Sequence, residues 1–300
     1  YSKDNSPCFA SGLFSSFFVL SMMLSSAVFA QDKGEMRPLY TGDLIPGATK
    51  PTKELTDKEI PKLYVHPAAQ NNKDLAFLVI PGGGYAGVAI NHEGHDVANR
   101  LNDLGYNAYV LEYRLPKVET IKDKRFGPLQ DAQYALRTVR KENPGKRVVV
   151  LGFSAGGHLA GSLSTLYNRP QTAELKDTNL RPDFSVLCYP VISMDDAITH
   201  KGSKNNLIGP DFKAEDIELF SLEKQVDENS QPTFLMSAKD DKGVPIENSY
   251  RYQEALKKNK VENMIFTYEE GGHGFGLVNK TDARDWFDAM IQWIEKTKKF

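Results

Sequence analysis

Cysteine is nearly absent from this chain: 300 residues hold Cys8 and Cys188 and no more. Cys188 lies in the apolar run Phe184-Ser185-Val186-Leu187-Cys188-Tyr189-Pro190 with no base near it in sequence, so it reads as a buried core residue rather than a reactive thiol. An excess of one charge is also lacking. Lys and Arg number 37 against 39 Asp and Glu, a formal net charge of −2 that offers no basic face to a nucleic acid. The phosphate-loop pattern G-x-x-x-x-G-K-[ST] does not occur. Neither does H-E-x-x-H: His92-Glu93-Gly94-His95 has the wrong spacing for a zinc pair, and no metal or cofactor is expected. No internal repeat or low-complexity tract is visible.

Long apolar runs are missing beyond residue 30. The earlier run, Phe14 to Ala30, is broken by Ser15, Ser16, Ser21, Ser25 and Ser26. It sits near the short limit of a membrane span, roughly 17–25 residues. Val28-Phe29-Ala30 before Gln31 has the form of a cleavage site, so residues 1–30 read as a secretory signal peptide, with weak n-region charge in Lys3 against Asp4. Stable membrane insertion is not expected, and the location is read as secreted or periplasmic. After cleavage Cys188 stands alone and no internal disulfide can form.

What is present is an alternation of short apolar runs with helical periodicity. Residues 31–60, polar with several prolines, read as an extended leader. Residues 61–300 read as one α/β domain, with strands near 62–66, 75–80, 107–113, 147–151, 184–189, 233–238 and 263–268. Helices are expected near 92–104, 128–142, after 154, 246–259 and 282–298. Repeated βα units imply a mostly parallel central sheet with helices on both faces. The stretch 191–232 is the longest between consecutive strands and is expected to shape a cap or acyl pocket.

Chemistry concentrates at four points. Gly152-Phe153-Ser154-Ala155-Gly156 follows the run Arg147-Val148-Val149-Val150-Leu151 and precedes a helix. That is G-x-S-x-G in the strand–turn–helix setting of a nucleophile elbow. A hydroxyl nucleophile must stand clear of the backbone on a sharp turn, and the flanking glycines leave room for it. Pro81-Gly82-Gly83-Gly84-Tyr85 follows an early strand, where backbone N–H groups can reach a developing oxyanion. Gly83 or Gly84, with Ala155 just after the serine, are the candidate donors; sequence does not separate the two glycines. Asp240 and Asp241 follow a late strand. Asp241, four residues before Pro245, is preferred over Asp240 as the carboxylate that orients a histidine. That histidine is His273, in Gly271-Gly272-His273-Gly274-Phe275-Gly276. The chain order Ser154, Asp241, His273 is that of the α/β-hydrolases.

On these elements the chain resembles an α/β-hydrolase-fold serine esterase. More narrowly, it is similar to the secreted bacterial carbohydrate acetyl-esterases and the feruloyl-esterase-like hydrolases. Asn91-His92-Glu93-Gly94-His95, Pro128-Leu129-Gln130-Asp131-Ala132, Gly157-His158-Leu159 and Val244-Pro245-Ile246-Glu247-Asn248-Ser249 carry the resemblance with the motifs above. Many such relatives open the oxyanion loop with histidine, where this chain has Pro81.

The resemblance implies hydrolysis of small acyl esters, acetyl first, of a carbohydrate such as xylan. Feruloyl esterase and a serine peptidase of the same fold stand as alternatives, and a catalytically silent binding protein is the non-enzyme alternative. A lipase is disfavoured because no long apolar lid is visible. Four further residues receive structural or pocket readings. Tyr85 is expected to line the substrate pocket, with a packing role as the alternative, Glu93 to serve a helix start, His158 to pack or hydrogen-bond behind the elbow, and Asp131 to be structural. The oligomeric state has no signal.

Overall fold

A computed structural model describes residues 31–299. The signal-peptide reading of residues 1–30, with Cys8, lies outside the described residues. In chain order the strands are β1 (Glu35–Pro38), β2 (Lys62–His66), β3 (Leu75–Ile80), β4 (Asn107–Glu112), β5 (Arg147–Phe153), β6 (Phe184–Cys188), β7 (Thr233–Ala238) and β8 (Asn263–Tyr268). They form one sheet ordered β1-β2-β4-β3-β5-β6-β7-β8. The β1/β2 and β2/β4 pairs are antiparallel. The remaining pairs are parallel, as the repeated βα units imply. The helices are α1 (Asp96–Asp103), α2 (Gly127–Glu142), α3 (Ser154–Thr165), α4 (Lys201–Ile208), α5 (Ala214–Phe220), α6 (Glu247–Lys258) and α7 (Trp286–Thr297).

The period of two along each strand sorts the core into two layers. Leu75, Phe77 and Val79 of β3 pack with Val97 and Leu101 of α1 and with Trp286, Met290 and Ile294 of α7. Ala76, Leu78 and Ile80 turn to the other face, in a layer with Leu129 and Leu136 of α2 and Leu159 and Leu163 of α3 that extends to Leu256 of α6. Parallel strands buried on both faces read as unbroken apolar runs, which is why β3 and β5 were so visible in sequence. Full burial of each such aliphatic side chain contributes about 1.5–3 kcal/mol. Cys188 lies fully buried in the first layer, and burial pushes its thiol pKa well up. Among the described residues no helix is long and apolar enough to cross a membrane.

Three elements differ from the sequence expectation. The leader is more than extended chain: residues 35–38 add β1 to the open edge of β2, and short 3-10 turns follow at Thr52–Glu54 and Asp57–Glu59. Later leader residues dock onto α2, where the Tyr40 hydroxyl donates to Asp131 at 2.7 Å and Gln130 Nε2 donates to the Pro46 carbonyl at 2.7 Å. Asp131 also holds the buried Arg114 guanidinium at 2.8 Å, in keeping with its structural reading. The segment expected as one helix from 92 opens with a π turn, Asn91–His95, before α1 begins. The last helix starts at Trp286 rather than 282, because the Asp285 carboxylate caps it by accepting the Phe287 and Asp288 N–H groups.

His158 of α3 is fully buried behind the elbow, as expected. Its Nε2–H donates to the Phe220 carbonyl at 2.9 Å, so its Nδ1 accepts from the Tyr85 hydroxyl at 2.9 Å. Complete burial disfavours a second ring proton and lowers the pKa to about 4. His95 behaves alike: it lies 3.0 Å from His66, and burial with the His66 charge lowers it to about 4. The folded chain therefore binds fewer protons than the unfolded chain between about pH 6.5 and 4. This stability is complete above the unfolded histidine pKa and is lost as pH falls through that window. His158 alone accounts for up to about 3 kcal/mol of it. Melting temperature followed from pH 8 to 4 should fall steeply below about 6.5; a flat profile down to pH 4.5 would contradict the assignment.

Candidate active site

Parallel strands bring their C-terminal ends to one edge of the sheet, and the loops leaving them converge there. β3 delivers Pro81 to Tyr85, β5 delivers Ser154, β6 Tyr189, β7 Asp241 and β8 His273. Ser154 has φ +53°, a conformation rare for a residue with a Cβ. The turn it makes requires the glycines around it. A Cβ on Gly152 would overlap the Gly156 carbonyl oxygen, and one on Gly156 would overlap that of Pro81.

The structure brings Ser154, Asp241 and His273 together across more than a hundred residues of sequence. His273 Nε2 lies 2.8 Å from Ser154 Oγ, and His273 Nδ1 lies 2.6 Å from Asp241 Oδ2. A carboxylate accepts, so Nδ1 carries the proton and Nε2 is free to take one from the serine. Asp241 is buried, and its second oxygen accepts the Gly243 and Val244 N–H groups at 2.9 Å each. Both carboxylate oxygens are thereby fixed. Asp240 faces outward instead. It accepts the Gly272 N–H at 2.8 Å, and that bond holds its carboxyl below the usual range. Both acids hold the histidine loop, and Asp241 alone of the two meets the ring.

A cavity of about 450 Å³ opens over these groups, lined by Gly83, Gly84, Ala86, Ser154, His200 and His273 among others. Gly83 and Gly84 have φ of +134° and +65°. Among the described residues neither of their N–H groups has an acceptor. The Ala155 N–H lies in the first turn of α3, where helix geometry leaves donors unpaired. The three expected oxyanion donors are thus available around the serine.

Tyr85 is a correction. It does not line the cavity: it is buried, and its hydroxyl turns inward to His158. Glu93 does stand in the first turn of its helical segment, the π turn, but it is buried there and its Oε2 accepts the Gly82 N–H at 2.8 Å. Its Oε1 accepts the Tyr189 hydroxyl at 2.7 Å, and that hydroxyl accepts the Gly276 N–H at 3.0 Å. The Tyr189 ring meets His273 edge-on, centroids 4.8 Å apart. At Pro81, where histidine was the family expectation, the carbonyl accepts the Tyr113 hydroxyl at 2.8 Å. Residues 82–87 spell G-x-G-x-x-G, against the reading that no phosphate-binding glycine pattern is present. The Gly82 N–H is already taken by Glu93, so this donor is not free for a pyrophosphate.

Two residues of the 191–232 segment reach the site unannounced. His200 lines the cavity, and Asn206 of α4 donates from Nδ2 to the Gly84 carbonyl at 2.8 Å. Their signal in sequence was limited to the length of the segment that contains them. For the acid assignment, Asp241→Asn should lower kcat by about 10⁴ by imposing the wrong histidine tautomer. Asp240→Asn should cost less than tenfold. Steady-state hydrolysis of an activated acetate by both variants checks this, and a larger loss for Asp240→Asn would reverse the assignment.

The BD-FAE family model matches residues 62–256. An endo-1,4-β-xylanase B from Butyrivibrio fibrisolvens is 35% identical over 234 residues, 76% of this chain and 36% of that protein. An acetylxylan esterase from Xylanibacter ruminicola is 35% identical over 218 residues, 69% of this chain and 42% of that protein. The chain thus spans less than half the length of these curated relatives. A crystal structure of an acetyl ester-xyloside bifunctional hydrolase from Caldicellulosiruptor lactoaceticus superposes with a TM-score of 0.76 at 33% identity, covering 89% of this chain and 97% of that one. An esterase from Thermogutta terrifontis shares the fold at 18% identity, with a TM-score of 0.68 over 89% of this chain and 93% of that one.

Proposed function

Because this chain belongs to the BD-FAE family of α/β-hydrolases, we propose that it is a serine carboxylic ester hydrolase that removes acetyl groups from carbohydrate of the xylan type. The observation that carries the reading is His273 spanning Ser154 and Asp241, with unpaired glycine N–H groups at the same cavity. The printed activities of the acetylxylan esterase and of the acetyl ester-xyloside hydrolase support the substrate class.

In this reading Ser154 Oγ attacks the ester carbonyl carbon while His273 Nε2 takes its proton. Asp241 keeps the imidazole in the competent tautomer and stabilises the imidazolium. The tetrahedral oxyanion is held by N–H groups of Gly83, Gly84 and Ala155, and loss of one such donor typically costs about 10²–10³ in rate. Collapse expels the sugar oxygen, which takes the proton from His273. Water, deprotonated by His273, then attacks the acyl carbonyl; collapse breaks the bond to Ser154 Oγ, which takes the proton back from His273, and the acid is released. The balance closes with protein groups and water alone.

The test uses the chain from Gln31 onward and its Ser154→Ala variant on acetylated xylan, methyl ferulate and p-nitrophenyl acetate. Acetate release from xylan, reduced by about 10⁴ or more in the variant, is the expected result. Ferulate release in its place would move the acyl preference to the feruloyl neighbours. No serine-dependent turnover of any ester would overturn the reading in favour of peptidase or binding roles. We further propose a secreted or periplasmic location, since a polysaccharide is too large to reach an enzyme kept inside the cell. N-terminal analysis of the exported protein should then begin at Gln31, and an uncleaved bond between Ala30 and Gln31 in protein confined to the cytosolic fraction would refute it.

A further inference from the structure

His200 stands between β6 and α4 and lines the cavity that holds Ser154 and His273. Its Nδ1 accepts the Ser203 backbone N–H at 3.1 Å and lies 2.7 Å from Ser203 Oγ, capping α4. A backbone N–H can only donate, so Nδ1 carries the lone pair and the ring proton sits on Nε2. Burial, then the neighbouring His273 charge, hold the pKa of His200 below its ordinary value and oppose a second proton. Among the described residues this Nε2–H has no acceptor.

The ring is also held against the oxyanion loop. Its Cε1 would stand 3.7 Å from a Cβ placed on Gly84, and the Asn206 bond to the Gly84 carbonyl pins α4 to the same loop. The result is a fixed, neutral, unspent donor in the wall of the reaction cavity. An acetyl ester offers one strong acceptor on its acyl side, the carbonyl oxygen, and Gly83, Gly84 and Ala155 are placed to take that. The acceptors left over are the hydroxyl and ring oxygens of the sugar.

We propose that His200 is a sugar-binding residue whose Nε2–H donates to an oxygen of the carbohydrate carrying the acyl group. It deepens the deacetylase reading and rests on it. Binding here selects sugar esters over simple esters without taking part in bond making.

Two substitutions separate this role from helix capping. In His200→Asn the side-chain oxygen occupies the place of Nδ1 and keeps the cap, while the amide is too short to reach the place of Nε2. In His200→Gln the amide nitrogen reaches the place of Nε2 and the cap is weakened. His200→Asn should lower kcat/KM for an acetylated xylo-oligosaccharide about tenfold, mostly through KM, as the loss of one hydrogen bond implies. Hydrolysis of p-nitrophenyl acetate should fall by a clearly smaller factor than that of the sugar ester, and His200→Gln should regain most of the lost sugar-ester activity. An unchanged sugar-ester rate in His200→Asn, or equal losses on both substrates, overturns the proposal while leaving the deacetylase reading intact. A wild-type chain that hydrolyses p-nitrophenyl acetate but no acetylated sugar overturns the deacetylase reading and the His200 proposal with it.

Discussion

The buried carboxylate of Glu93 is the constraint on which the geometry of the site rests. A parallel sheet brings strand ends side by side, about 4.8 Å apart, but it does not orient the loops that leave them. Here one side chain does so. Glu93 takes the Gly82 N–H on one oxygen and the Tyr189 hydroxyl on the other, and that hydroxyl takes the Gly276 N–H. The oxyanion loop, the loop after β6 and the histidine loop are thus joined through two residues. Burial and the Glu93 carboxylate push the Tyr189 pKa well up, so its hydroxyl stays a neutral donor to the acid. Tyr85, Ser154 and Tyr189 all have positive φ at this edge, each a strain of about 1–3 kcal/mol that surrounding contacts must offset.

Three histidines near the site show how neighbours assign a role to one residue type. His273 has Nδ1–H held by a carboxylate, which leaves Nε2 a base beside the serine. His158 has Nε2–H held by a carbonyl and Nδ1 by a tyrosine hydroxyl, so both nitrogens are spent on structure. His200 has Nδ1 held by a backbone N–H, which leaves Nε2 a donor. Base, brace and donor differ only in which group faces which nitrogen. The same reasoning separates the adjacent acids. Asp241 is buried against the ring, whereas Asp240 is exposed and spends its oxygen on the loop backbone.

The legible parts of the sequence were those whose requirements are local. Gly152 must be glycine because of the Gly156 carbonyl four residues on, so the elbow announced itself, although Gly156 answers to Ile80 and Pro81 at the end of another strand. Strands buried on both faces showed as apolar runs, and Asp241 followed from its place in a short loop. The illegible parts depend on distant partners. The inward turn of Tyr85 is decided by His158, 73 residues later, and the role of Glu93 by Tyr189, 96 residues later. β1 carries no apolar alternation because it lies at the edge, exposed along most of its length, and exists because β2 left that edge open. No window of local sequence contains such information.

The same division runs through the site itself. The groups that make and break bonds sit on strand ends, where the sheet and the Glu93 link allow little movement. The segment 191–232 is held differently: α4 meets the oxyanion loop through Asn206 on the Gly84 carbonyl, and His200 caps that helix while facing the cavity. A substitution in this segment can therefore change what surrounds the ester without shifting the serine, provided Asn206 keeps Gly84 in place. Changes at Asn206 act in the opposite sense, through the peptide that carries the oxyanion donors. In the proposed reading substrate choice and chemical rate are carried by different elements, which meet through Asn206 on the Gly84 carbonyl and, behind the elbow, through His158 on the Phe220 carbonyl.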